Sequence, residues 1–122
     1  MDAARFANAF GWIVAARIIA AIVVIGIGIA LVFTDAYEGD ATPFAIAHLL
    51  FGICIYGYGG YRSVKKLSLS TAESVAAAGV AGLIMGSLPL DTGTDISTRI
   101  FVNALIAVIF GAVGAFAAKI RK

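Results

Sequence analysis

Charge is scarce in this sequence: 13% of its 122 residues are Asp, Glu, Lys or Arg, where a soluble domain carries about 25%. Half the usual solvating charge is missing. Cysteine is nearly absent, and the single Cys54 excludes an internal disulfide and any cysteine-based metal site within one chain. Histidine is limited to His48. No Asp or Glu falls inside an apolar run, since Glu73 stands at the mouth of one. With one histidine and no interior acid, neither a hydrolytic triad nor a dinuclear metal site can be assembled. A proton-coupled exporter or a rotary-ATPase proteolipid relies on an intramembrane carboxylate, so both are disfavoured. Gly26-Ile27-Gly28 lacks the strand that a dinucleotide fingerprint follows, and Gly57-Tyr58-Gly59-Gly60 has the wrong spacing for one. The cationic ends are too sparse to indicate nucleic acid. The expected protein is not an enzyme.

What is present is apolar sequence in runs. Hydrophobic residues make up 61% of the chain and the mean hydropathy is +1.01. Runs rather than stripes separate lipid-facing helices from amphipathic soluble ones. A bilayer core of about 30 Å requires roughly 20 helical residues, and four segments approach this: 13–33, 43–61, 72–90 and 100–118. Phe6, Phe10 and Trp12 precede the first and suit a headgroup boundary. Thr42-Pro43 opens the second as a cap and a first-turn proline. Ser70-Thr71-Ala72-Glu73 gives the third the spacing of a capping box. Asp95, Ser97 and Thr98 compete to cap the fourth. The first run resembles a signal peptide in its flanks, with Thr34-Asp35-Ala36 as a cleavage site, but it is long enough to span. The fold class expected is all-α: a polytopic integral membrane protein, one domain over 1–122, built as a four-transmembrane-helix bundle.

Loop charge gives this bundle a direction, because cytoplasmic loops collect Lys and Arg. With the N-terminus inside, Arg5, Arg17, Arg62, Lys65, Lys66, Lys119, Arg121 and Lys122 all face the cytoplasm, leaving Arg99 outside. Asp35, Glu38, Asp40, Asp91 and Asp95 fall in the two outer loops. Both termini are therefore expected inside, in a bacterial or archaeal cytoplasmic membrane. The basic 62–71 loop reads as a topology determinant, with contact to anionic headgroups as the alternative.

Small residues recur every fourth position. Ser74, Ala78, Gly82 and Gly86 share one face of the third segment, and Asn103, Ala107, Gly111 and Ala115 share one face of the fourth. In lipid, close backbone approach across such faces supplies much of the attraction between helices. These faces are expected to pack on each other or on copies in a neighbouring subunit. Gly26 and Gly28 form a weaker example in the first segment. Gly57, Gly59 and Gly60 are expected to weaken the end of the second, among Tyr56, Tyr58 and Tyr61 of an inner aromatic belt.

Three polar residues fall inside the runs. His48 shares a helical face with Gly52, Tyr56 and Gly60, and a polar ring at that depth must find a partner. One reading makes it a haem b ligand, with Met85 at similar depth as an axial partner. The reading preferred from sequence is a hydrogen bond to a neighbouring helix. Arg17 precedes an uncharged stretch of about 24 Å at helical rise, slightly short of a span. It is therefore expected to snorkel toward the cytoplasmic headgroups, the alternative being an anion or headgroup site facing the bundle interior. Asn103 lies near the outer end of the fourth segment, where it could join His48, Asp91 and Asp95 in a polar vestibule.

The leading functional expectation is a non-enzymatic helical membrane subunit, packed in a larger membrane complex or assembled with its own copies. Alternatives are a small oligomeric ion or solute channel or transporter, with Arg17, His48 and Asn103 along its path, and a haem or quinone anchor of an electron-transfer complex. A pilin built from a membrane hairpin is more distant, because four spans exceed what it requires. The first segment lacks the acid of the small multidrug exporters, and the motifs of fluoride channels are missing.

Overall fold

The computed structural model describes residues 3–35, 39, 42–87 and 95–120. Its elements are four helices: α1 (Ala3–Phe33), α2 (Thr42–Lys65), α3 (Thr71–Ser87) and α4 (Ile96–Ile120). Both α1 and α4 are long and apolar enough to cross a membrane, while α2 and α3 are shorter. With 17 residues, α3 rises about 26 Å. In α2, His48, three tyrosines and four glycines dilute the apolar run.

Several boundaries differ from the sequence expectation. Helix α1 begins at Ala3, ten residues ahead of the expected 13–33 span, and its 31 residues extend about 46 Å. Ala3, Ala4 and Arg5 favour helix intrinsically, and Phe6 and Phe10 pack there against Ala9, Leu69 and Ala77. Helix α2 continues through its glycines to Lys65. A reciprocal cap opens α3: the Ser70 amide donates to Glu73 Oε1 and the Glu73 amide to Ser70 Oγ, each at 3.1 Å. Asp95 directly precedes α4, its carbonyl accepting from the Arg99 amide at 3.0 Å, whereas Ser97 and Thr98 fall inside the first turn. Residues 88–90 of the expected third span lie outside the described residues. So do Glu38, Asp40, Asp91, Arg121 and Lys122 of the loop-charge argument.

Around the bundle the helices run in the order α1, α2, α4, α3. Helix α4 packs along both α2 and α3, and α1 packs along the same two from the opposite side. Among the described residues no Cα atom of α1 comes within 8 Å of one in α4, so these two helices are diagonal.

Small side chains set the α3–α4 distance. A β-carbon on Gly82 would lie 2.7 Å from the Ala107 methyl and 2.8 Å from the Asn103 carbonyl, and one on Gly86 would lie 2.6 Å from Ile100 Cα. Gly111 faces Ala78 in the same way at 2.6 Å, and Ser74, Ala107 and Ala115 are fully buried. A second crossing brings α2 equally close to α4. There Gly114 lies against the Gly57 carbonyl and Gly60 against the Gly111 carbonyl, and neither glycine has room for a β-carbon. Gly59 accommodates Ile13 of α1, whose Cγ1 would be 2.6 Å from an added β-carbon. The glycines of α2 are therefore contact surfaces for α1 and α4, not the weak last turn expected from sequence. The buried cluster of Ile13, Tyr56, Ala78, Ala81 and Ala107 joins all four helices.

The distribution of polarity inverts that of a soluble bundle. Ile19, Ile22, Val32 and Phe33 of α1, and Phe101, Val113, Phe116 and Ile120 of α4, are exposed, whereas Arg17, Ser63 and Ser74 are buried. Water-soluble monomers rarely expose so many large apolar side chains. Arg5, Arg62, Lys65 and Lys66 gather at one end, where α1 begins and α2 meets α3. Arg5 Nη1 donates to the Leu67 carbonyl at 3.1 Å and Arg62 Nη1 to Asn8 Oδ1 at 3.1 Å.

Candidate functional site

Arg17, His48 and Asn103 come from three different helices and meet inside the bundle. The Arg17 side chain is 4% exposed. Its Nη1 donates to the His48 carbonyl at 3.1 Å, and Nη2 reaches His48 Nε2 at 3.2 Å and Asn103 Oδ1 at 3.4 Å. The guanidinium carbon lies 5.5 Å from the centroid of the Tyr56 ring, within the range of a cation–π contact. Asn103 is fixed in turn by its Nδ2, which donates to the Arg99 carbonyl at 2.9 Å.

Local sequence explains how the cation reaches this position. His48, Gly52 and Tyr56 are spaced four residues apart, so one face of α2 carries all three. A β-carbon on Gly52 would lie 2.6 Å from Arg17 Nη1; the missing side chain is the space the guanidinium fills. Ile13 of α1 packs on Gly59, while Arg17, one turn later, reaches Gly52 and His48. The side chain thus extends away from the basic end of the bundle. Snorkelling toward the cytoplasmic headgroups would point it the opposite way, so that expectation is corrected. The stretch after Arg17 is short for a span, but neutral acceptors inside the bundle hold the charge instead.

The hydrogen-bond chemistry is one-sided. A guanidinium carries only donors, so His48 Nε2 presents its lone pair to Arg17 and the ring proton sits on Nδ1. Nε2 is also the usual iron-ligating atom, and here it faces a cation. Met85 is buried on α3; the arrangement gives the His48–Met85 haem reading no free Nε2. Each of the acceptors on Arg17 is neutral. Arg17 Nε and the Tyr56 hydroxyl are both buried, and the Tyr56 hydroxyl oxygen lies within hydrogen-bonding reach of the Arg17 side chain. Among the described residues no group of His, Cys, Asp and Glu could hold a metal ion.

Of the vestibule expected around these residues, Asp95 is exposed at the start of α4 and Asp91 lies outside the described residues. Sequence reasoning missed Tyr56 as a member of the site, placing it in an interfacial belt with Tyr58 and Tyr61. Tyr56 is 1% exposed and turned inward, while Tyr58 stands outside, 5.4 Å from Trp12. The signal was available in its four-residue spacing from Gly52 and His48. No family model matches the chain, and neither a curated protein nor a solved structure matches it.

Proposed function

We propose that the protein is a non-enzymatic integral membrane subunit whose four helices all span the bilayer, with both termini and the 62–71 loop on the cytoplasmic side. It packs laterally beside other membrane helices, either copies of itself or partner subunits. The observation that carries this reading is the outer half of α1. Residues 22–33 include no buried residue, and only 24, 28 and 31 are even half-covered by the rest of the chain. A helix of about 18 Å at this rise is thus left to lipid or to a neighbour. The small-residue faces of α3 and α4 are consumed within the protomer, so they do not supply the assembly surface. Gly26 and Ala30, four residues apart and both exposed, do; Gly26 has nothing within 4 Å of where a β-carbon would stand. Small pairs at this spacing let membrane helices approach closely. The less apolar α2 and the short α3 fit four spans because polar residues such as His48 and Ser74 face the bundle rather than lipid.

Cysteines at positions 26 and 30, introduced with Cys54→Ala, test this. Oxidative crosslinking in the native membrane is expected to yield a discrete larger species, and Gly26→Leu is expected to reduce the assembled size in mild detergent. A monomer unaffected by Gly26→Leu and Ala30→Leu contradicts it.

The polar interior supports a second reading, a small ion channel or transporter whose path passes Arg17, His48 and Asn103. Flux in liposomes that falls in Arg17→Gln and Asn103→Ala supports this reading. Flux equal to that of empty vesicles removes it.

A further inference from the structure

We infer that the α1–α2 seam at the basic end binds one anionic glycerophospholipid of the cytoplasmic leaflet, its phosphodiester held by Arg62 and Lys65. The inference rests on the proposed topology, which puts this end in the cytoplasm. Arg62 is set in place by α1. Its guanidinium carbon lies 5.4 Å from the centroid of the Trp12 ring, and its Nη1 donates to Asn8 Oδ1 at 3.1 Å. A guanidinium carries further N–H donors, and among the described residues Asn8 is the one acceptor that meets it. An arginine already ordered in this way loses less freedom when it takes up a ligand. Lys65 stands one turn further along the same face of α2 and is exposed. Of the described acids, Asp35 and Asp95 lie at the opposite end of the bundle, and Glu73 is engaged by Ser70 in the α3 cap.

The surface beside these cations selects a lipid over a soluble phosphate. Phe51, Cys54, Tyr58, Arg62 and Lys65 follow one another at steps of three or four residues, so they form one stripe along α2. All but the half-buried Arg62 are exposed. The Tyr58 ring lies 5.4 Å from Trp12 and 6.3 Å from Tyr61 between centroids, which lines the seam with aromatic rings next to the cations, at the level suited to a glycerol backbone. From Phe51 to Lys65 the stripe rises about 21 Å, half of a bilayer about 40–45 Å thick with its headgroups. Apolar, aromatic and cationic groups thus succeed one another in the order of the acyl chain, glycerol and phosphate of a lipid in one leaflet. A soluble anion would use only the last of these. The loop-charge bias accounts for the cations, but for neither the Trp12 contact nor the Asn8 bond that fixes Arg62.

The full chain in dodecyl maltoside tests this, with thermal unfolding and native mass spectrometry read against added phosphatidylglycerol or phosphatidylcholine. A saturable rise in melting temperature with phosphatidylglycerol is expected, with one lipid retained per chain and no effect of phosphatidylcholine. Lys65→Gln, at an exposed position, should raise the half-saturating lipid concentration about fivefold. Arg62→Lys keeps the charge but not the fork of donors or the Trp12 contact, and should raise it about threefold. Lys119→Gln removes an equal charge from the end of α4, outside the seam, and should leave it unchanged. Equal effects of the two lipids overturn the inference, as does a shift with Lys119→Gln as large as that with Lys65→Gln. Stabilisation by soluble glycerol phosphate equal to that by phosphatidylglycerol also overturns it, and so does a half-saturation that Arg62→Lys and Lys65→Gln leave unmoved. Topology labelling and crosslinking do not depend on bound lipid, so the membrane placement and the lipid site fail separately.

Discussion

Arg17 on α1 donates to the Asn103 side-chain oxygen on α4 at 3.4 Å, and it does so between helices whose Cα atoms stay more than 8 Å apart among the described residues. A single long side chain therefore ties the diagonal of the bundle, passing over Gly52 and contacting His48 on the way. Each group it touches is an acceptor held in place by something else: a helical carbonyl, an imidazole, an amide anchored to Arg99.

Removing the far end of this tie leaves Nη2 with one acceptor. Asn103→Ala is expected to destabilise the folded bundle by about 1–3 kcal/mol, the cost of an unsatisfied buried donor. Thermal unfolding in detergent measures it, and a variant as stable as the parent would show that the diagonal bond contributes nothing.

Gly52→Ala should be felt at the same site from the other side. The added methyl meets Nη1 at 2.6 Å, so the guanidinium must shift and lose its His48 carbonyl bond, costing about 1–3 kcal/mol. The double variant Gly52→Ala with Arg17→Gln should recover part of this loss. A purely additive pair contradicts the account.

The glycines at the α2–α4 crossing confront backbone rather than a side-chain tip. Gly114→Ala and Gly60→Ala therefore require the helices to separate, and each is expected to cost about 3 kcal/mol, the upper part of the overpacking range. Gly11→Ala, with nothing within 4 Å, is the matched control and should stabilise by about 0.5–1 kcal/mol through helix propensity. Melting temperatures of the three variants in one detergent rank them.

Ser70 and Glu73 form the reciprocal cap of α3 at the basic end. Ser70→Ala should lower stability by about 1 kcal/mol, and amide exchange in the first turn of α3 should quicken.

The helices were legible in the sequence because long apolar runs bounded by caps leave little else for the backbone to do. The α3–α4 contact was legible too, since both of its faces repeat every fourth residue. Gly57, Gly60 and Gly114 were not read as a contact: a glycine inside a helix pattern reads as weakness, and only the partner backbone reveals it as closeness. Arg17 was misread for a related reason. Its nearest sequence neighbours argue for the headgroups, while the groups that hold it lie 31 and 86 residues away. Hydropathy alone also overstates the uniformity of the four segments, because α2 is diluted by polar residues, of which Tyr56 and Ser63 are buried.

The central claim is that all four helices cross the bilayer with the basic end in the cytoplasm. Single cysteines at Ser68, between α2 and α3, and at Thr34, after α1, are introduced into the Cys54→Ala chain and treated in intact cells with a membrane-impermeant maleimide. Position 34 should label in intact cells, and position 68 only after the membrane is opened. Labelling of both positions from the outside, or of neither, contradicts the account.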